Sequence, residues 1–188
     1  MSSRISPGFL VAAPQLKDPN FERTVVLMME HEDDEGSLGL VINRSAELEL
    51  ADVLEAMEVE VEGEVDGRSH PPVMYGGPVA VELGWILHSA DWDGDQTRPV
   101  ADGVRVTASR DIVEAIATGH GPASYMFCLG YAGWGPGQLI GEIKSGSWIT
   151  VPFEADLVFD VPMEKRWETA LRRLGIEPGA LAATVGDA

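Results

Sequence analysis

The chain has 188 residues, enough for one buried core, and 45% of them are hydrophobic, which excludes a disordered polypeptide. Lys and Arg number 13 against 31 Asp and Glu, a formal net charge of −18 that disfavours direct nucleic-acid binding and anionic membrane; the basic residues form no stripe, and their nearest grouping, Lys165, Arg166, Arg172 and Arg173, is diluted by Glu164 and Glu168. The one cysteine, Cys128, excludes an intramolecular disulfide, and no apolar run is long enough for a signal peptide or a bilayer span, so a cytoplasmic location is expected.

In chain order, Phe9–Ala13 reads as a buried strand ended by Pro14. Asp18-Pro19-Asn20 is a turn signal, and Asp18 is placed to cap a short helical turn running to Arg23. Thr24–His31 is a second strand, apolar on both faces and hence central. An acidic loop, Glu32–Ser37, joins it by a hairpin to a third, Leu38–Asn43. Leu50, Val53, Leu54 and Met57 mark one face of an amphipathic helix. Glu58–Pro72 has no period and reads as an exposed loop or ragged edge strand.

Val73–Tyr75 is a strand entering a tight Gly76-Gly77-Pro78 turn, and Gly84–Ala90 is another. After a turn at Trp92–Asp95, Val104–Val106 alternates as a short strand. Ser109 is positioned to cap a helix with Ile112, Val113, Ile116 and Ala117 facing inward, closed by Gly119 and Gly121. Ser124–Gly130 is a buried strand, and a Gly-rich segment, Gly130–Gly137, leads into Gln138–Lys144. Trp148–Val151 and Leu157–Phe159 read as strands. The last clear helix carries Met163, Trp167, Ala170, Leu171 and Leu174 on one face, with Gly175 at its end, and the tail from Glu177 suggests a short final helix. Hairpin links mixed with helical crossovers predict one α+β domain over residues 1–188, on a mixed sheet rather than a doubly wound parallel one.

The chemistry-bearing residues form no catalytic motif. His31 stands among Glu30, Glu32, Asp33, Asp34 and Glu35, without the alternating ligands and central Gly of an EF-hand loop. His70, His88 and His120 are isolated, so no metal is implied. Cys128, between Phe127 and Leu129, reads as an inert buried thiol. No serine lies in a GxSxG elbow. Gly133-Trp134-Gly135-Pro136-Gly137-Gln138-Leu139 offers amides to an anion, or is simply a strand-to-helix turn stiffened by Pro136; it is no P-loop and no dinucleotide fingerprint, so no cofactor is implied.

Together these blocks resemble the YqgE/AlgH family. The resemblance rests on Gly8–Pro14, Asp18-Pro19-Asn20-Phe21 with Arg23, Val25–Leu27, Glu30-His31 and Gly39–Arg44. It continues through Gly76-Gly77-Pro78, Leu87-His88, Tyr131–Trp134, Pro136–Leu139, Glu142-Ile143 and Trp148, and spans about Gly8 to Leu174. It implies a compact fold in which a mostly antiparallel bent sheet curls into a partial barrel flanked by helices. Gly141 and Ser145-Gly146-Ser147 weaken the helix the resemblance places after the third block. The family's customary label is transcriptional regulator, with no agreed activity. With a charge of −18, that role would run through an unidentified protein or small-molecule partner rather than DNA.

Two functional expectations follow. One is a non-enzymatic regulatory or binding protein. The other is an enzyme or a small-anion or nucleotide binder, with a cleft lined by the motif blocks and contacts from Asp18, Asn20, Arg23, His31, Asn43, Arg44, His88, Trp134 and Gln138. A flat apolar patch favours the first, a deep pocket ringed by those residues the second. Arg23, Asn43 and Trp134 fall at element boundaries and are expected in one contiguous region.

Overall fold

The structure is a computed structural model that describes residues 5–61 and 72–179. Most of the expected Glu58–Pro72 loop, His70 and most of the expected final helix lie outside those residues. The strands are β1 (Gly8–Ala12), β2 (Val25–Glu32), β3 (Gly36–Val41), β4 (Met74–Tyr75), β5 (Val79–Ser89), β6 (Thr97–Ala101), β7 (Val104–Thr107), β8 (Tyr125–Trp134) and β9 (Trp148–Pro152). The helices are α1 (Leu50–Ala56), α2 (Arg110–Ala117), α3 (Gln138–Lys144), α4 (Asp156–Phe159) and α5 (Arg166–Arg173), the last preceded by a 3-10 turn at Met163–Lys165.

One sheet runs in the order β6-β7-β5-β8-β3-β2-β1-β9, antiparallel throughout except that short β4 lies parallel to β8. It is an α+β fold whose sheet curls into a half-barrel. Long β8 carries the bend. Gly130 takes φ +75 in mid-strand, and a Cβ there would lie 2.4 Å from the Gly77 carbonyl oxygen; a Cβ on Gly77 would lie 2.1 Å from the Tyr131 carbonyl carbon. Only glycine lets these backbones cross so closely. Past Gly130 the side-chain alternation of β8 changes phase, which re-aims its faces. Met126 and Cys128 sit in the cluster with Phe9, Leu27, Leu40, Leu87 and Val106, inside the half-barrel. Phe127 packs with α1 and α2 on the outer face, while Ala132 and Trp134 pack with Leu10, Val26, Trp148 and α3.

Helices seal these clusters. α2 buries Ile112, Val113, Ile116 and Ala117, the face its sequence spacing predicts, although the Ser109 hydroxyl bonds the Asp95 carbonyl and the Asp111 carboxylate rather than a helix amide. α5 lays Trp167, Ala170 and Leu171 against the interior cluster, and the Trp167 indole donates to the Ala12 carbonyl at 2.8 Å. α3 forms despite Gly141 and stops at Lys144, before the Ser145–Ser147 stretch. No helix among the described residues is long and apolar enough to cross a membrane.

Four expectations need correction. Leu157–Phe159 is not a strand: α4 places Leu157 and Val158 under the core as one helical turn, and three apolar residues in a row do not distinguish the two periods. β6 has no counterpart in the sequence reading because Pro99 sits inside it; it is the outermost strand, where a missing N–H is tolerated. The strand expected to end at Gly130 continues through the Gly-rich stretch to Trp134. Near the C-terminus, where the sequence offered no basic stripe, the arginines are engaged separately. Arg166 is buried, with Nε 3.0 Å from the Val161 carbonyl and a terminal nitrogen donating to the Ile42 carbonyl, and Arg173 pairs with Glu154 and Asp156. Leu174, expected on the inward face of the last helix, caps the end of α5 and is 39% exposed.

Candidate functional site

The turn between β1 and β2 is where most of the candidate side chains meet. Asp18 accepts the Asn20 amide on its carboxylate at 2.9 Å, and its carbonyl takes the Phe21 and Glu22 amides at 3.0 and 2.7 Å. This tight turn leaves carbonyls pointing outward, and Arg44, arriving just after β3, covers them. Its guanidinium donates to Pro19, Asn20 and Glu22 carbonyls at 2.7, 2.8 and 2.8 Å. Beside it, Asn43 accepts the Val25 amide at 2.9 Å and donates to the Arg23 carbonyl at 2.8 Å, continuing the ladder where β2 begins. Arg23 holds φ 56 and lays its exposed guanidinium 5.4 Å from the centroid of the Trp167 ring.

Trp134 joins through Phe21, whose ring stacks on it at 6.1 Å and meets Trp148 edge-on at 5.4 Å. Gln138 accepts the Gly135 amide at 3.0 Å, which closes the strand-to-helix turn on itself. Arg23, Asn43 and Trp134 therefore share one region, together with Asp18, Asn20, Arg44 and Gln138. The side chains of Asp18, Asn43, Arg44 and Gln138 are turned on the chain's own backbone: the Arg44 fork that would orient an anion is taken up by three carbonyls.

The two other candidates lie outside this knot. His31 stands in register with Ser37, and Ser37 with Trp134, across β2, β3 and β8. Its Nδ1 is 2.6 Å from the Ser37 hydroxyl and its Nε2 2.9 Å from Asp33. The set has the composition of a nucleophile, base and acid, but Asp33 is 79% exposed, so its hold on the ring is screened by water. His88, fully buried on β5, contacts the Ser89 carbonyl and the Thr107 hydroxyl at 2.8 and 2.7 Å, with Trp92 edge-on at 5.7 Å. Burial holds its pKa below 6.5, partly opposed by the Ser89 carbonyl. Cys128 is sealed in the core, where burial pushes the thiol up to about 12.

A polar cleft of about 580 Å³ does touch the motif blocks through His31, Val79, Tyr131 and Trp134, but Glu30, Glu32 and Glu35 also line it. Glu30 is paired with Arg98, and the carboxylates of Glu32 and Glu35 oppose a phosphate or other anion. Among the described residues no His, Cys, Asp and Glu group is arranged to hold a metal ion.

The larger hollow lies elsewhere. A groove of about 640 Å³ runs between α1, α2 and the first half of β5, walled by Leu48, Val53, Met57, Val81, Leu83 and Val113. Its outer wall exists because the β5 ladder breaks: Val79 pairs with Tyr131 and Gly84 with Leu129, so Ala80–Leu83 bulges out of the ladder, with Ala80 at φ 48. Val81 and Leu83 are consequently 50% and 49% exposed, and Leu48 42%. None of these residues is among the sequence candidates. The alternation Val79, Val81, Leu83 is visible in the sequence, but it does not say which face stays bare.

The profile of the AlgH-like family (DUF179) matches residues 9–179. The chain belongs to the AlgH-like family. This AlgH-like chain is 44% identical over 188 residues to a UPF0301 protein of Anaeromyxobacter dehalogenans strain 2CP-C, covering 98% of this chain and 95% of the relative. A UPF0301 protein of Thioalkalivibrio sulfidiphilus is 41% identical over 187 residues, with coverage of 100% and 98%. The solution structure of the AlgH protein from Pseudomonas aeruginosa superposes with a TM-score of 0.79 at 36% identity, over 97% of this chain and 95% of that one. Protein DIP2367 from Corynebacterium diphtheriae shares the fold, with a TM-score of 0.73 at 22% identity over 92% and 89%. The half-barrel and its first turn are thus the setting of an AlgH-like fold, and the groove beside α1 is larger and more apolar than the cleft at His31.

Proposed function

We propose that this AlgH-like chain is a non-enzymatic binding protein of the cytoplasm that acts in regulation by holding a partner protein, not DNA, at the groove between α1, α2 and β5. The observation that carries this reading is the bare apolar wall of that groove, Val81 and Leu83 above all, in a chain of charge −18. An acidic protein whose described residues leave a contiguous apolar surface uncovered has a contact to make there. Supporting it, Asn43 and Arg44 are occupied with backbone carbonyls and amides, and the polar cleft at His31 carries Glu32 and Glu35 against an anion. The buried lone thiol suits a reducing compartment.

Site-directed photocross-linking tests the reading. Benzoylphenylalanine placed at Leu83 in the full chain should cross-link one discrete protein in host cells, and Val81→Asp should abolish that product. The same probe at Lys17, 75% exposed beside the first turn, should give none. Equal products from both positions, or none from Leu83, would refute it.

A further inference from the structure

The groove has an open strand edge along one wall, and the following inference rests on the binding reading above. We infer that the partner enters as an extended segment that adds a strand to β5 alongside Val79–Trp85, with apolar residues at alternate positions and Lys or Arg at its ends.

The first ground is the backbone. On the side of β5 away from β8, β7 pairs only with Ile86–Ser89. Beyond Thr107 the chain turns away through Ala108 and Ser109 into α2, so Val79–Trp85 has no partner strand on that side among the described residues. A free edge displays N–H and C=O groups that another strand completes.

The second ground is that the sheet protects its other edges and not this one. Outermost β6 carries Arg98 and Pro99, and β9 at the opposite end finishes on Pro152. Proline and cations there block edge-to-edge pairing. The sequence Val79-Ala80-Val81-Glu82-Leu83-Gly84-Trp85 holds neither. It instead presents Val81 and Leu83 two positions apart at the groove, 50% and 49% exposed, whereas Val79, before the left-handed Ala80, lines the polar cleft. Such a pattern offers alternate-residue contacts to an extended peptide rather than the three-to-four spacing that a helix needs.

The third ground is charge. Asp52, Glu82 and Arg110 are the charged residues lining the groove. Arg110 is committed, 2.9 Å from Glu114 and donating to the Glu58 carbonyl at 3.2 Å. The field at the groove is therefore that of Asp52 and Glu82, which attracts cationic ends and repels acidic ones.

The experiment titrates the isotopically labelled full chain with the synthetic peptide acetyl-Lys-Val-Ile-Val-Leu-Lys-amide and follows backbone amide NMR shifts. Saturable shifts are expected at Val81–Trp85 and Ala108–Arg110. Two N-methylated versions separate a strand from any other pose. Methyls on the amides of one alternate set should weaken binding roughly tenfold or more, and on the other set by less than about twofold, because only one edge of an added strand faces β5. Glutamate in place of both lysines should also weaken it roughly tenfold or more. Equal tolerance of both methylation patterns, shifts that map elsewhere, or no shifts at all overturns strand addition.

Nile red, a neutral apolar dye, distinguishes this failure from failure of the binding reading. Dye uptake that Val81→Asp/Leu83→Asp abolishes in a chain with unchanged circular dichroism, without peptide shifts, leaves the groove standing and removes the strand. Absence of both dye and peptide binding removes both.

Discussion

Asn43 shows how one amide does what neither a charged nor an apolar residue would do in its place. It supplies an acceptor to Val25 and a donor to the Arg23 carbonyl, the two groups that β3 no longer reaches. Asn43→Ala leaves both unpaired, and we expect a stability loss of about 1–3 kcal/mol. Arg23, exposed and held only by the Trp167 ring through its side chain, should cost about 0.5–1 kcal/mol on Arg23→Ala. Urea denaturation ranks the two, and a larger loss at Arg23 would contradict the assigned roles. His88 gives a pH signature. Because burial lowers its pKa in the fold, the unfolded chain takes up the proton first as pH falls through 6.5. Stability from this group is therefore full above 6.5 and declines below it, with a slope of at most about 1.4 kcal/mol per pH unit. The urea midpoint should drop between about pH 7.5 and about pH 5.5, and less steeply in His88→Gln. Identical pH dependence in both proteins would show that the ring titrates freely.

Among the elements, the long strands decide the shape. β8 reaches from α2 to α3 and changes face at Gly130, so one strand lines the interior at Met126 and Cys128 and the outer face at Trp134. β5 meets the same bend with a bulge instead of a glycine, and the bulge is what bares Val81 and Leu83. α5 closes the other side. Its Arg166 is a buried cation whose hydrogen bonds go to backbone carbonyls, of Ile42 at the end of β3 and of Val161 just before the helix. It pins α5 to the sheet through groups that would otherwise be buried unpaired, although losing water lowers its own pKa.

For the molecule as a whole, charge is the dominant feature. A net −18 pushes the surface outward, and the ion pairs that oppose it are mostly exposed ones such as Arg110–Glu114 and Arg172–Glu168. Exposed pairs contribute little, so screening should relieve more repulsion than it removes attraction. We expect the melting temperature to rise by a few degrees as NaCl goes from about 0.01 M to about 0.3 M, where the screening length falls from roughly 30 Å to under 10 Å. A fall over that range, read by calorimetry, would mean that the ion pairs outweigh the repulsion.

Taken alone, the sequence determined the local elements: β1, the β2–β3 hairpin, β7, β9 and the inward faces of α1 and α2. Each is specified by neighbours a few positions away, through period two or 3.6 and through turn residues such as Asp18-Pro19-Asn20. It also pointed to Arg23, Asn43 and Trp134 lying together, because core packing does not explain such side chains at element ends. Only the tertiary structure decided what those side chains do. Arg44 spans 25 positions to the Pro19 carbonyl, and Arg166 spans 124 to Ile42, and no local pattern announces a partner so distant. The groove was hidden for the same reason. Val81 and Leu83 alternate like any half-buried strand, and whether that face meets protein or solvent depends on where α1, α2 and β7 stop against the sheet, which is a property of packing rather than of the strand.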